Sequence, residues 1–215
     1  MPRQNRVTPR GEIIATPARG DFMGKRGGCL HDASGKLGAA RWRGNRWITC
    51  LLEFKGRRRT IMTPGRYTEL FFLDEATALA AGHRPCRECR RPAFEDFKLA
   101  WLKGNPEHGL TPDASIDAID AILQRERVSR DREQVTHRAS IDSLPEGVFV
   151  VLDHSPAETF LLWDNRLQRW SPEGYKDAVE KPHGFSVQAL TPRSTVRAIA
   201  TGYRPAVHAT ADGSR

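Results

Sequence analysis

One stretch constrains the fold of this 215-residue chain more than any other: residues 71–91, FFLDEATALAAGHRPCRECRR. Asp74 can cap a short helix, because its carboxylate can accept hydrogen bonds from the free amides of the first helical turn. The alanines that follow favour the helix, and Gly82 can end it in the left-handed conformation. Cys86 and Cys89 then form a C-x2-C pair, and two sulfur atoms at this spacing can bind one tetrahedral zinc ion.

The chain has four cysteines, spaced Cys29-x20-Cys50-x35-Cys86-x2-Cys89. The polar start, Met1 to Arg10, does not resemble a signal peptide, so we expect a cytoplasmic protein whose thiols stay reduced. Four reduced thiols are enough for one tetrahedral site, and all four are predicted zinc ligands. Two isolated cysteines can instead be small buried apolar residues. His31 and His83 are then alternative ligands.

Positive charge is concentrated in the front half of the chain. The net charge is +8, and residues 1–110 contain 21 of the 34 Lys+Arg but only 11 of the 26 Asp+Glu. Such a basic region, which also contains the cysteines, suggests an anionic partner, and nucleic acid is the first candidate. The alternative is that the charge only aids solubility.

Between residues 41 and 66 eight cations accompany a single acid, Glu53, and aromatic side chains are interleaved with them. Arginine suits phosphate because its planar fork can donate two parallel hydrogen bonds. We therefore predict a DNA-binding face that contacts the phosphate backbone, formed by Arg41, Arg43, Arg46, Lys55, Arg57, Arg58, Arg59 and Arg66. The alternative is a solvated basic loop.

The run from Leu73 to Cys89 resembles the metal-binding domain of Ada, the bacterial sensor and repair protein for methylated DNA. In that family a short alanine-rich helix precedes the motif A-G-(aromatic)-R-P-C-x-x-C. The resemblance extends more loosely over residues 41–91. It implies that Cys86 and Cys89 supply two zinc thiolates.

In the Ada family an upstream C-x3-C pair supplies the other two thiolates, and its first cysteine accepts a methyl group from a DNA phosphotriester. Here Cys50 ends a comparable predicted strand, but Phe54 stands four residues later and the pair is missing. The resemblance therefore makes Cys50 the candidate catalytic residue and leaves methyl transfer open.

We predict an α+β protein with two structured parts. The front part is a small zinc-binding unit of sheet and helix, and the back part is a helix followed by a small β-rich domain. The predicted boundaries are a flexible basic arm at 1–28, the Ada-like domain at 29–104, a linker and helix at 105–145, and the β-rich domain at 146–215.

Several local signals are specific enough to test. A β-branched and aromatic run predicts a strand from Trp47 to Phe54, with a basic hairpin tip at 55–59 and a returning strand at 60–62. Thr111 is a predicted helix cap. The charged residues 124–132 are expected to project into solvent.

The sequence supports three classes of function. The first is a zinc protein that binds DNA in repair, regulation or defence. The second is an enzyme, either the thiolate methyl acceptor or a nuclease built on Asp153-His154 or His31-Asp32, although neither pair lies in a recognised catalytic motif. The third is a protein-interaction module in which zinc only stiffens the fold. No apolar run approaches the roughly 20 residues that span a bilayer, so no membrane partner is expected.

Overall fold

The computed structural model describes residues 1–57 and 60–213. Within these residues the chain forms two six-stranded sheets and four α-helices. The predicted α+β class is therefore confirmed.

The first sheet contains the cysteine-rich front of the chain. Its strand order is β2-β1-β5-β3-β4-β6. The strands are β1 (Gln4–Val7), β2 (Ile13–Ala15), β3 (Phe22–Arg26), β4 (Trp47–Leu51), β5 (Leu70–Phe72) and β6 (Arg84–Pro85).

Residues 1–28, predicted to be a flexible arm, contribute three of these strands. Strand β1 pairs antiparallel with β2 and parallel with β5, while β3 lies between β5 and β4. Two apolar residues of this segment are anchored in the core, because Val7 and Ile13 are buried in one cluster with Leu70 and Phe72. The strands are short and are surrounded by glycines and arginines, so the sequence gives little sign of their alternating buried residues.

Strand β4 begins at Trp47 as predicted, but the hairpin expected after it is wrong. Residues 60–62 form no strand, and residues 58 and 59 lie outside the described part of the chain. Strand β4 instead pairs antiparallel with β3 along its whole length and parallel with β6.

The helices are α1 (Glu75–Ala80), α2 (Arg91–Gly104), α3 (Ile116–Arg127) and α4 (Arg193–Ala200), with short 3-10 turns at Pro106–His108, Ile141–Ser143 and Ala209–Asp212. The predicted Asp74 cap is confirmed, because its Oδ1 accepts from the Thr77 amide at 2.8 Å. The predicted Thr111 cap is wrong, since the side chain of Ser115 caps α3.

The second sheet has the strand order β11-β10-β9-β8-β12-β7. Asp164 and Asn165 form the predicted tight turn between β9 and β10, and both have positive φ, at 49° and 53°. The strands are β7 (His137–Ser140), β8 (Phe149–Leu152), β9 (Ser155–Trp163), β10 (Arg166–Ser171), β11 (Gly174–Glu180) and β12 (Ser186–Ala189).

One apolar core joins helices α1, α2 and α3 to the second sheet. Leu79 of α1, Trp101 of α2 and Ile119 of α3 belong to the same buried cluster as Val150 and Leu162 of the second sheet. The predicted domain boundaries stay predictions. None of the helices within the described residues is long and apolar enough to cross a membrane.

Candidate metal centre

Three of the four cysteines meet at one edge of the first sheet. The sulfur atoms of Cys50, Cys86 and Cys89 all lie within 4.8 Å of one another. Cys50 and Cys86 are buried, and Cys89 is half-buried. We call this group the thiol cluster.

Strand pairing brings Cys50 beside a cysteine that lies 36 residues later in the chain. Strand β6 runs parallel to β4 with Thr49 opposite Pro85, and the Cys86 amide donates to the Thr49 carbonyl at 2.9 Å. Continuing this register by one residue places Cys86 next to Cys50. The turn after β6 is closed by the Arg90 amide, which donates to the Cys86 carbonyl at 3.1 Å, and it returns Cys89 to the same place.

The cluster is arranged to stabilise negative charge on one of its three sulfurs, that of Cys86. Hydrogen bonds from the thiols of Cys50 and Cys89, and from the backbone N–H groups of Cys89 and Glu88, lower the pKa of Cys86 well below the usual thiol range. Cys50 is the complementary donor, because its hydrogen bonds to Cys86 and Cys89, together with burial, raise its pKa. Backbone donors of this kind favour the thiolate, which is the form of cysteine that binds metals.

Two buried ion pairs hold the C-x2-C turn in place. On one side Arg84 donates two hydrogen bonds to Asp120 of α3, at 2.8 and 2.7 Å. On the other side Arg90 lies 2.8 Å from Glu75 of α1. All four side chains are less than 10% exposed. Because each buried charge is paired, breaking either pair would leave an uncompensated charge beside the cluster.

The donor set suits zinc. Zinc–sulfur bonds of about 2.3 Å in a tetrahedral site place sulfurs roughly 3.8 Å apart, which the spacing within the thiol cluster accommodates. No fourth His, Cys, Asp or Glu joins the group within residues 1–57 and 60–213. The three sulfurs line a cavity of about 200 Å³, which Lys25, Arg57 and Glu88 also border. Three protein ligands with one open position are typical of reactive rather than purely structural zinc sites.

The other predicted ligands lie elsewhere. Cys29 is not a member of the thiol cluster, and its sulfur lies 3.7 Å from Nδ1 of His31. The ring of His31 also contacts Thr68 Oγ1 at 2.6 Å. His83 is fully buried between the rings of Trp47 and Phe72, at 5.2 and 4.6 Å.

The described members of the predicted DNA-binding face are all exposed: Arg41, Arg43, Arg46, Lys55, Arg57 and Arg66. Two of them are paired with acids, Arg46 with Asp117 at 2.8 Å and Arg57 with Glu88 at 2.7 Å. Arg58 and Arg59 lie outside the described residues. Arg57 borders the thiol cavity, so part of the basic surface adjoins the candidate metal site.

The residue pairs considered for a nuclease are not assembled into a site. Asp153 is exposed and forms an ion pair with Arg138. Asp32 accepts from the amides of Ser34 and Lys36, which is the role of a turn residue. Across the described ranges, the thiol cluster is the only group of three or more potential metal ligands.

Sequence reasoning missed the residues that orient the cluster. Arg84 stands in the A-G-(aromatic)-R-P-C-x-x-C motif, but its partner Asp120 lies 36 positions later and outside any motif. Residues 124–132, expected to project into solvent, include Arg127, which is only 2% exposed. That prediction is wrong for Arg127, because its guanidinium donates to the carbonyls of Gly82 and Asn45 and lies against Trp47.

Neither a protein-family model, nor a curated protein, nor a solved structure matches this chain.

Proposed function

We propose that this protein binds Zn²⁺ through Cys50, Cys86 and Cys89 and binds DNA through the basic surface beside that site, in repair, regulation or defence. The observation that carries the proposal is the thiol cluster, in which three sulfurs from two chain segments share one cavity edge. Outside metal sites, close groups of three reduced cysteines have no evident packing advantage over apolar residues.

Charge supports the DNA half of the proposal. Lys25 and Arg57 border the thiol cavity. Lys55 and Arg66, which lie on the 41–66 segment with Arg57, are exposed. Bound zinc would offset the negative charge of the thiolates, which otherwise oppose a phosphate backbone. Contacts of this kind position a backbone and are largely indifferent to base sequence.

Metal content tests the zinc half. The purified full-length chain should contain about one zinc per molecule, and Cys86→Ser should contain almost none because two thiolates hold zinc far more weakly. Cys29→Ser is the matched control and should keep wild-type zinc, since Cys29 lies outside the cluster. Zinc-free wild-type protein after growth with added zinc would refute the site, as would full zinc occupancy in Cys86→Ser.

Fluorescence polarisation with a labelled duplex tests the DNA half. Reversing Arg57, Arg58 and Arg59 to Glu should weaken binding by at least about tenfold at 150 mM salt and reduce the salt dependence of the affinity. The matched control reverses the exposed residues Arg166, Lys176 and Arg204, with the same charge change. Equal losses in the two triple variants would show that net charge alone is responsible.

The methyl-acceptor function is the second candidate, favoured by the position of Cys50 at the cavity edge. Metal binding would deprotonate the Cys50 thiol. The Cys50 thiolate would form a carbon–sulfur bond to the methyl group of a phosphotriester as the oxygen–carbon bond breaks, and a phosphodiester anion would leave. Mass spectrometry after incubation with methylphosphotriester DNA should then find one added methyl group on Cys50. If no cysteine gains a methyl group, the methyl-acceptor function is excluded and the DNA-binding function is unaffected.

A further inference from the structure

A larger cavity lies away from the thiol cluster, where the N-terminal strands meet the end of α3. Its volume is about 820 Å³. Five arginines and two glutamates, Glu12 and Glu133, line it, so its charged side chains sum to +3. We call it the arginine cavity, and its cations are Arg10, Arg26, Arg41, Arg127 and Arg132.

Arg26 is the most unusual of these cations. It is 2% exposed, and its Nη2 has no hydrogen-bond partner in the part of the chain that the structure describes. That nitrogen lies beside Gly11 of the cavity wall, since a Cβ added at Gly11 would be 3.6 Å from it. The one side-chain partner of its Nε is His83 Nε2, which accepts at 3.3 Å.

His83 cannot neutralise Arg26. Its Nδ1 lies 3.3 Å from the Ala78 carbonyl, which requires a proton on Nδ1, and its Nε2 accepts from Arg26, which requires the neutral ring. Burial, reinforced by the charges of Arg26 and Arg127, lowers the pKa of His83 well below its usual value. Arg26 therefore faces a neutral acceptor.

Arg127 is a second buried arginine that contacts the indole ring of Trp47 and has no carboxylate partner among the described residues. Its guanidinium carbon lies 4.0 Å from the indole centroid, and that of Arg26 lies at 4.2 Å. Arg127 donates to backbone carbonyls, and Asp120, the acid that favours its charge, is already bidentate to Arg84. The fold gives a carboxylate contact to both Arg84 and Arg90, but to neither Arg26 nor Arg127 among the described residues.

We propose that the arginine cavity binds a phosphate monoester that carries a planar ring, of which a nucleoside monophosphate is the simplest example. The unpartnered Nη2 of Arg26 and the neighbouring cations supply the donors that a phosphate dianion requires. Half-buried Trp42 lines the same cavity and offers an aromatic surface to the ring. A volume of this size is within the range of small-molecule sites.

Calorimetry on the full zinc-loaded chain tests the proposal with AMP, adenosine and inorganic phosphate as probes. AMP should bind with one-to-one stoichiometry, and adenosine should bind at least about tenfold more weakly because it lacks the charge that the arginines select. Phosphate alone should also bind more weakly than AMP. Equal affinity for AMP and adenosine, or no binding of AMP at millimolar concentration, would overturn the proposal.

The phosphate can belong to a free nucleotide or to the end of a strand. A short single-stranded oligonucleotide with a 5′ phosphate, compared with its 5′-hydroxyl twin, separates these sources. If the phosphorylated strand binds more tightly than AMP, the cavity binds strand ends. If AMP binds more tightly, the cavity binds free nucleotides.

Variants locate the binding to this cavity. The double variant Arg41→Ala/Arg132→Ala removes two exposed rim cations and should weaken AMP binding at least about fivefold. Arg26→Lys keeps the positive charge but loses the planar guanidinium. If this variant folds, it should weaken AMP binding more than the double variant does. Arg166→Ala, an exposed arginine of the second sheet, is the matched control. Wild-type AMP affinity in the rim variant would overturn the proposal even if Arg26→Lys failed to fold.

Discussion

Strand β4 separates two sites of opposite charge. Cys50 and Trp47 are three residues apart in an unbroken register with β3, so they project from opposite faces of the sheet. On one face Cys50 lies opposite Met23 and joins two other thiols; on the other Trp47 lies opposite Arg26 and contacts two guanidinium groups. The first group can be neutralised by a cation and the second by an anion.

The two sites differ in how the chain assembles them. Two members of the thiol cluster, Cys86 and Cys89, come from one turn, and β6 delivers them to the neighbouring strand. Arg26, Trp47 and Arg127 come from three separate elements. A motif can therefore reveal the first site in the sequence, whereas the second exists only where distant elements meet.

Variants that disable each face of β4 separately test whether the two sites are independent. Cys50→Ser should lose nearly all bound zinc yet keep AMP affinity within about twofold. Trp47→Phe should keep its zinc but weaken AMP binding about three- to tenfold, because phenylalanine is the weaker cation–π partner. Metal analysis measures the zinc content of each variant, and calorimetry on the same preparations measures its affinity for AMP. Loss of both ligands in either variant would show that the faces form one coupled site.

Removal of one partner from a buried ion pair on the thiol side should strongly destabilise the fold. Asp120→Asn leaves Arg84 buried without its counter-charge and should lower the free energy of unfolding by about 3–5 kcal/mol. Urea unfolding of the zinc-loaded protein measures the change.

Asp117→Asn is the matched control on the same helix, because it breaks the exposed pair with Arg46. That substitution should change the free energy of unfolding by less than about 1 kcal/mol. Equal effects of Asp117→Asn and Asp120→Asn would contradict the role assigned to the buried pair.

The arginine side should show a pH signature through His83. Its pKa is lowered in the folded state, so on acidification the unfolded state takes up a proton near pH 6.5 while the folded state does not. Folding stability should therefore fall with decreasing pH. Between pH 7.5 and 5.5 this one group should account for about 1.4 kcal/mol.

His83→Gln removes that titration while keeping a donor and an acceptor. The loss of unfolding free energy between pH 7.5 and 5.5 should be smaller in His83→Gln by about 1.4 kcal/mol, measured by urea unfolding at each pH. His137 provides a comparison, since burial lowers its pKa to about 4 and its acid sensitivity persists in the variant. An unchanged pH dependence in His83→Gln would mean that the pKa of His83 is the same in the folded and unfolded states, which would contradict its burial as a neutral ring.

Local signals were sufficient for several elements. The Asp74 cap and the Asp164-Asn165 turn depend on side chains within three residues of the groups that they organise, and both were predicted. The Thr111 cap failed because a competing cap, Ser115, lies four residues later and the packing of α3 decides between them. The 60–62 strand failed because β4 found its partners in β3 and β6 instead.

The helix that precedes the cysteines and the C-x2-C turn follow from the sequence alone, because hydrogen bonds between near neighbours define both. Alternating and β-branched runs also indicate the α+β class, although the strand pairing itself joins residues far apart in the chain. Tertiary packing placed Cys50, and not Cys29, beside that turn. It also decided that Arg84 receives a carboxylate while Arg26 receives a neutral histidine 57 residues away. Both outcomes depend on which strands pair and which helix ends meet. An arginine needs a buried partner only once that packing has removed its charge from water.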